Sequence, residues 1–334
     1  MNGKLDIGAV KSLKIDVLTE TGWFDDATFK KNMADHGGAG QSQYRVAWDP
    51  ENAGGYAALL TITWPDGGER KILLDTGWSN EWMDYVFARH RVDRMLERGE
   101  IDFMVLSHWH LDHFWGIGST LKHNPRLTLY APATWSGQDR FLLAGNGSIE
   151  TVDREGKAVT ICRNSVPHEG DLILTEAQGE DGSGIYRLMP GVALRMFDAS
   201  MLLQVRGENV LYVNVEGKGI ITVTGCGHPG IMNLLGFAKD RLAGPGLYGC
   251  YGGLHLSVFD CWKPEFDTII DDVKQLGMAK MGCNHCTGWM WAEKAATHGV
   301  PIVKGTDTYL SYPKRSAQAK GSHAFLGNGD SVVF

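Results

Sequence analysis

The stretch Val105-Leu106-Ser107-His108-Trp109-His110-Leu111-Asp112-His113 decides how this chain is read. Three histidines and one aspartate fall within six residues, directly behind the apolar run Phe103–Leu106. Four ionisable groups this close are costly beside a core unless a cation or water compensates them. The apolar run predicts a buried strand. A strand end projects alternate side chains to one side, so His108 and His110 can grip one cation. Asp112 and His113, on the turn that follows, reach a second. Imidazole with carboxylate suits zinc, iron or manganese. The competing reading is a chance cluster at a helix start, which the density of the motif argues against.

Outward from the motif, the composition is that of a globular protein. The chain has 334 residues, 43% hydrophobic and 21% charged, enough apolar content to bury a core. A net charge of −7 leaves no basic surplus for neutralising phosphates, which argues against a nucleic-acid partner. Met1–Glu20 lacks a continuous apolar segment, and no apolar span of ~20 residues occurs. The expectation is a cytoplasmic protein without a membrane partner. The six cysteines, Cys162, Cys226, Cys250, Cys261, Cys283 and Cys286, are not spaced like a small secreted framework. Gly numbers 43 and Trp 11. The tryptophans could be core or the walls of a pocket for a flat ligand. They permit a homodimer without demanding one.

The periodicity alternates short apolar runs with helical stretches. Strands are predicted at Leu13–Leu18, Ala57–Thr63, Lys71–Leu74, Phe103–Leu106, Thr128–Tyr130, Asn209–Val215, Ile220–Thr224, Ala279–Met281, Pro301–Val303 and Ser331–Phe334. Helices are predicted at Glu81–Arg98, Ile231–Leu242, Pro264–Leu276 and Trp289–His298. Asn328-Gly329 reads as a hairpin turn. Two polar, Gly-rich stretches, 25–52 and 145–184, read as long loops. The order suggests an α/β fold of one unit over 1–334, made of two βα halves at about 13–200 and 201–334 and packed as an αββα sandwich.

His-x-His-x-Asp-His behind an apolar strand resembles the signature of the metallo-β-lactamase superfamily. Leu73-Leu74-Asp75-Thr76-Gly77 resembles its earlier strand-and-turn motif. Three further motifs resemble the branch of dihydropterin–ribofuranosylaminobenzene phosphate synthase-like metal-dependent hydrolases. They are Thr224-Gly225-Cys226-Gly227-His228-Pro229-Gly230, Gly252-Gly253-Leu254-His255-Leu256 and Asn284-His285-Cys286-Thr287-Gly288. The resemblance runs in order from about Asp16 to Thr308. It implies a four-layer αββα sandwich with two metal ions, zinc first among the candidates, at one edge between the sheets. His108, His110 and a later histidine would hold the first ion. Asp112, His113 and His285 would hold the second. The later histidine maps to His228, with His168 as the competing position. The usual bridging aspartate is replaced near Gly225 by Cys226, so the bridge could be Cys226, water alone, or absent from a one-metal site.

His255 reads equally as a core histidine or as a group that steadies substrate. Cys283-Asn284-His285-Cys286 could be a redox pair, although its context is a ligand loop. Asp75 is expected to fix a turn or orient a ligand. Trp109, Trp115, Cys226 and Trp289 are the expected substrate contacts. Asp112 and His255 are the expected catalytic residues. The leading expectation is a hydrolase acting on a small ester, lactone, amide, phosphoester or activated aryl halide by a cation-activated water. A pterin or aryl-phosphate transferase and a di-iron oxidoreductase are the rivals. A non-catalytic protein with a structural metal fits poorly, because such sites have four protein ligands and no open position.

Overall fold

The computed structural model describes residues 3–21, 30–31, 34–35, 40–46, 54–153, 155–258, 261–313 and 322–334. Most of the expected loop 25–52 lies outside the described residues.

The first sheet is built from β1 (Ser12–Thr21), β2 (Gly55–Thr63), β3 (Glu69–Leu74), β4 (Phe103–Val105) and β5 (Thr128–Pro132). β6 (Gly147–Val152) and β7 (Ala158–Asn164) form a separate hairpin, and β8 (Leu172–Thr175) joins the first sheet. The second sheet holds β9 (Tyr186–Met189), β10 (Val192–Ser200), β11 (Arg206–Val215), β12 (Gly219–Thr224), β13 (Leu247–Gly252) and β14 (Lys280–Cys283). The last strand, β15 (Ser331–Val333), returns to the first sheet beside β1. The orders are β15-β1-β2-β3-β4-β5-β8 and β14-β13-β12-β11-β10-β9.

Side-chain alternation builds four layers from these two sheets. Ala58, Leu60, Ile72, Leu74 and Val105 share a core with Leu211, Val213, Ile221 and Val223 of the other sheet. Their neighbours Leu59, Leu73 and Met104 face the opposite way. They pack there on helices α1 (Asn80–His90) and α2 (Val92–Glu97) through Val86, Phe87 and Leu96. On the far side of the second sheet, Cys250, Met281 and Cys283 pack on Leu235, Ile270 and Trp291. These come from the helices Ile231–Arg241, Glu265–Gln275 and Trp289–Thr297. A period of two along each strand thus gives one dry interior between the sheets and a second interior under each helical layer.

Five sequence readings change. The predicted helix Glu81–Arg98 is two helices, broken at Arg91, which is left-handed with φ 60°. No glycine marked the break, because an arginine carries it. Arg91 is exposed, and a left-handed non-glycine residue costs roughly 1–2 kcal/mol. Arg91→Gly is therefore expected to raise the melting temperature slightly, as read by thermal unfolding; a fall would contradict this account of the break. The stretch 145–184 is not a loop but contains β6, β7 and β8. Pro301–Val303 contributes only the isolated bridge of Ile302 to Met281. Asn328-Gly329 does not close a local hairpin. It turns the chain so that β15 pairs with β1, far away in sequence. The sheets divide between Thr175 and Tyr186, earlier than the expected boundary near 200, which falls between the paired strands β10 and β11. No helix among the described residues is long and apolar enough to cross a membrane.

Candidate metal centre

The parallel strands β3 and β4 of one sheet and β12, β13 and β14 of the other end at the same edge of the molecule. Open α/β sheets bind ligands beyond the carboxyl ends of their strands. Asp75 follows β3, Ser107 and His108 follow β4, Cys226 and His228 follow β12, His255 follows β13, and His285 follows β14. Five sequence motifs far apart in the chain therefore converge. The close approach explains a glycine: a Cβ on Gly225 would lie 2.2 Å from Ser107 Oγ and 2.9 Å from an Asp75 carboxylate oxygen.

His108 Nε2 lies 2.8 Å from His110 Nδ1. The His228 ring centroid is 4.9 Å from each of them. His285 Nε2 lies 3.2 Å, and His113 Nε2 3.9 Å, from Asp112 Oδ2. His113 Nε2 is 3.1 Å from Cys226 Sγ. Ligand atoms of His108, Cys226 and His228 fall within 4.8 Å of one another, as do those of His113, Cys226 and His285. Cys226 belongs to both groups.

The surrounding hydrogen bonds assign the tautomers. The Asp75 carboxylate accepts from Ser107 N–H at 2.6 Å, from Ser107 Oγ at 2.6 Å and from His113 Nδ1 at 2.7 Å. With its hydroxyl proton given to Asp75, Ser107 Oγ accepts from His108 Nδ1 at 2.9 Å. His110 Nε2 donates to the Leu202 carbonyl at 2.8 Å. Each of these rings thereby turns its remaining nitrogen lone pair inward. His108 Nε2 and His110 Nδ1 then face each other as two acceptors with no proton to share. His228 Nε2 and His285 Nδ1 are buried without a hydrogen-bond partner. A buried acceptor pair and orphaned imidazole nitrogens are what a cation site requires and a hydrogen-bonded core avoids. The donor set fits a transition-metal ion.

Charge agrees with this. Burial, and then the neighbouring imidazoles, push His108 and His228 well below the usual histidine range, and His110 is pushed down to about 4. Burial also holds His285 down. Burial alone would lower His113, yet Asp112 and Asp75 outweigh it and hold it above its ordinary value. Burial would raise the Asp112 carboxyl, but His113, His285 and His110 keep it below the usual carboxylate range. Most of the ligand imidazoles are thus neutral, and the carboxylate is ionised.

His110, Asp112, Cys226, His228, His255 and His285 line a cavity that Leu202, Leu203 and Val258 rim. His255 is left-handed with φ 47°, and its ring centroid is 4.3 Å from that of His228. Such strain at a polar cavity is held by surrounding structure and is common at functional sites. His168 is elsewhere: its Nε2 bonds the Leu127 carbonyl at 2.7 Å. Cys286 lines the cavity, whereas Cys283 is buried in the core beneath the outer helices. No tryptophan lines the cavity among the described residues. Trp109 and Trp115 are 2% and 1% exposed and pack in the core under the first sheet, Trp109 donating to the Pro132 carbonyl. Trp289 packs against the core of the second sheet's outer face. Trp109, Trp115 and Trp289, expected as substrate contacts, pack in the layer cores and are not among the described residues lining the cavity.

Sequence reasoning missed Glu208, Asn209 and Glu20. Glu208 and Asn209 are charged and polar side chains directly before the apolar run Val210–Val213 of β11, fully or almost fully buried. A carboxylate beside such a run needs partners, and that was the available signal. Glu20 accepts the His285 amide at 3.3 Å.

Residues 55–136 match the model of the metallo-beta-lactamase superfamily. A 7,8-dihydropterin-6-methyl-4-(beta-D-ribofuranosyl)-aminobenzene-5'-phosphate synthase from Methanocaldococcus jannaschii is 27% identical over 203 residues, 57% of this chain and 67% of that protein. An uncharacterised protein of the same organism is 26% identical over 276 residues, 79% of this chain and 89% of its own length. The crystal structure of a metal-dependent hydrolase of the beta-lactamase superfamily superposes with a TM-score of 0.52 at 16% identity, covering 86% of this chain and 93% of that one.

Proposed function

We propose that the chain, whose residues 55–136 match the metallo-beta-lactamase superfamily model, is a member of that superfamily and a metal-dependent hydrolase of a small-molecule substrate, with a binuclear zinc site. His108, His110 and His228 would hold one ion, and Asp112, His113 and His285 the other. The observation that carries the reading is the inward lone-pair pattern, above all the facing acceptors His108 Nε2 and His110 Nδ1 at 2.8 Å. A divalent cation supplies a Lewis acid and lowers the pKa of water from about 15.7 towards ~7.

The chain's own residues supply the rest. Asp112, ionised between His113 and His285, accepts the proton of the attacking water and orients it. His255, on the cavity wall beside His228, donates to the oxygen on which negative charge develops. Leu202, Leu203 and Val258 shield the reacting bond from bulk water. Cys226 sits where substrate and ligands meet. Esters, lactones, amides, phosphoesters and activated aryl halides are the substrate classes to screen.

His255→Gln tests the assigned donor. Loss of one such donor costs about 10²–10³ in kcat. The expected result on the best substrate of the panel is a fall of that order in kcat, with KM and bound metal unchanged. An unchanged kcat would remove His255 from the reaction. The likeness to the Methanocaldococcus synthase favours a second reading, transfer of a pterin or aryl-phosphate group. It predicts that a condensed product, and no hydrolysed one, accumulates from such substrates.

A further inference from the structure

Glu208 and Asn209 are neighbours on β11, and successive side chains of a strand leave it on opposite sides. Each ends on a different ligand-bearing turn. The Glu208 carboxylate, fully buried, accepts from four donors. Oε1 takes Thr224 Oγ1 at 2.6 Å, the Cys226 amide at 3.0 Å and the Gly227 amide at 2.7 Å. Oε2 takes the His228 amide at 2.8 Å. Every backbone N–H from Cys226 to His228 is thus held by one side chain. Asn209 reaches the other sheet. Its amide N–H donates to the Ser107 carbonyl at 2.7 Å and its Nδ2 to the Leu106 carbonyl at 3.0 Å. Its Oδ1 is itself held by Thr175 Oγ1 at 2.6 Å.

We propose that Glu208-Asn209 is a clamp that positions the two halves of the metal centre against each other. Asn209 fixes the end of β4, from which His108 and His110 project. Glu208 fixes the turn after β12, from which Cys226 and His228 project. Both anchors are consecutive residues of one strand, so the distance between the His108–His110 pair and His228 is set by a single peptide unit. Neither side chain touches the ligand nitrogens; they act as positioning residues, through the main chain. The four donors on Glu208 also place a carboxylate under the loop that carries two candidate ligands, which favours a cation above it.

The inference rests on the metal-site reading, and its test separates the two. Zinc affinity is measured by chelator competition on the full chain, with the cobalt-substituted visible spectrum as a second readout. Glu208→Gln keeps the size of the side chain, but its amide NH₂ opposes one of the four donors. Asn209→Leu removes the bridge to Leu106. Loss of a group that orients a ligand weakens metal binding by about 10–100-fold. Both variants are expected to fall in that range, with an altered cobalt spectrum. Leu60→Ala, which cuts the inter-sheet core away from this edge, is expected to lower the melting temperature and leave zinc affinity as in wild type. Glu208→Gln and Asn209→Leu binding zinc within about twofold of wild type, with an unchanged spectrum, would overturn the clamp while leaving the metal site standing. A Leu60→Ala loss as large as theirs would also overturn it, reducing both residues to general stability. Wild type that binds neither zinc nor cobalt would overturn the metal-site reading itself.

Discussion

Asp112→Ala is expected to reduce hydrolytic kcat by about a thousandfold or more, and to lower bound metal. A positioned cation with its oriented water contributes several kcal/mol to the transition state, and each 1.36 kcal/mol is a factor of ten. Asp112 is placed to serve twice. Its carboxylate lies 3.2 Å from His285 Nε2 and 3.9 Å from His113 Nε2, and three imidazoles keep it ionised. Removing it leaves His113 and His285 converging without the negative charge that offsets a cation between them. Asp112→Asn separates the roles, because it keeps the volume and one neutral oxygen. It is expected to retain part of the metal and little of the rate. Steady-state kinetics with elemental analysis of the same preparations reads both. Full activity in Asp112→Ala would remove this residue from the chemistry.

The second large effect is on stability. Asp75 is fully buried, and its carboxylate holds Ser107 N–H, Ser107 Oγ and His113 Nδ1. Asp75→Ala leaves the Ser107 amide and the His113 ring N–H without acceptors in a dry environment. Each such orphan costs about 1–3 kcal/mol, so a loss of about 4 kcal/mol is expected in denaturant unfolding. Asp75 is also left-handed, φ 59°, a conformation that asparagine tolerates and alanine does not. Asp75→Asn should therefore recover much of the stability. It should not recover metal affinity, because its NH₂ opposes His113 Nδ1–H and drives the ring to the other tautomer. The proton would then sit on Nε2, the atom that faces Cys226 and Asp112. Equal stability of Asp75→Ala and wild type would show that the carboxylate holds nothing.

The parts of this protein that were legible in the sequence are those whose chemistry is local. His108, His110, Asp112 and His113 sit within one strand end and one turn, so spacing alone placed them together. His228 and His285 lie more than a hundred residues away, and only their motif context tied them to the cluster. Short apolar runs such as Ala57–Thr63 and Ile220–Thr224 gave their strands directly. Glu208 and Asn209 signalled only that a polar pair in a strand needs partners; which main-chain atoms they reach across two sheets is not written in the sequence. The tryptophans misled for the same reason. Trp109 sits inside the motif by sequence, but its indole packs in the core while the next residue, His110, lines the cavity. Arg91 broke a helix without a glycine, and β6 and β7 paired within a Gly-rich stretch whose alternation was short.

The proposed site holds two cations, one where the lone pairs of His108, His110 and His228 converge and one where those of Asp112, His113 and His285 do. Elemental analysis of purified wild type, beside an Asp112→Ala/His285→Ala double variant, tests it most directly. About two equivalents of zinc are expected in wild type and about one in the variant, where only the His108–His110–His228 group remains intact. Iron in place of zinc would keep the site and move the chemistry to oxidation and reduction. A single equivalent that survives the double substitution would contradict the second site, and no bound metal after reconstitution would contradict the account as a whole.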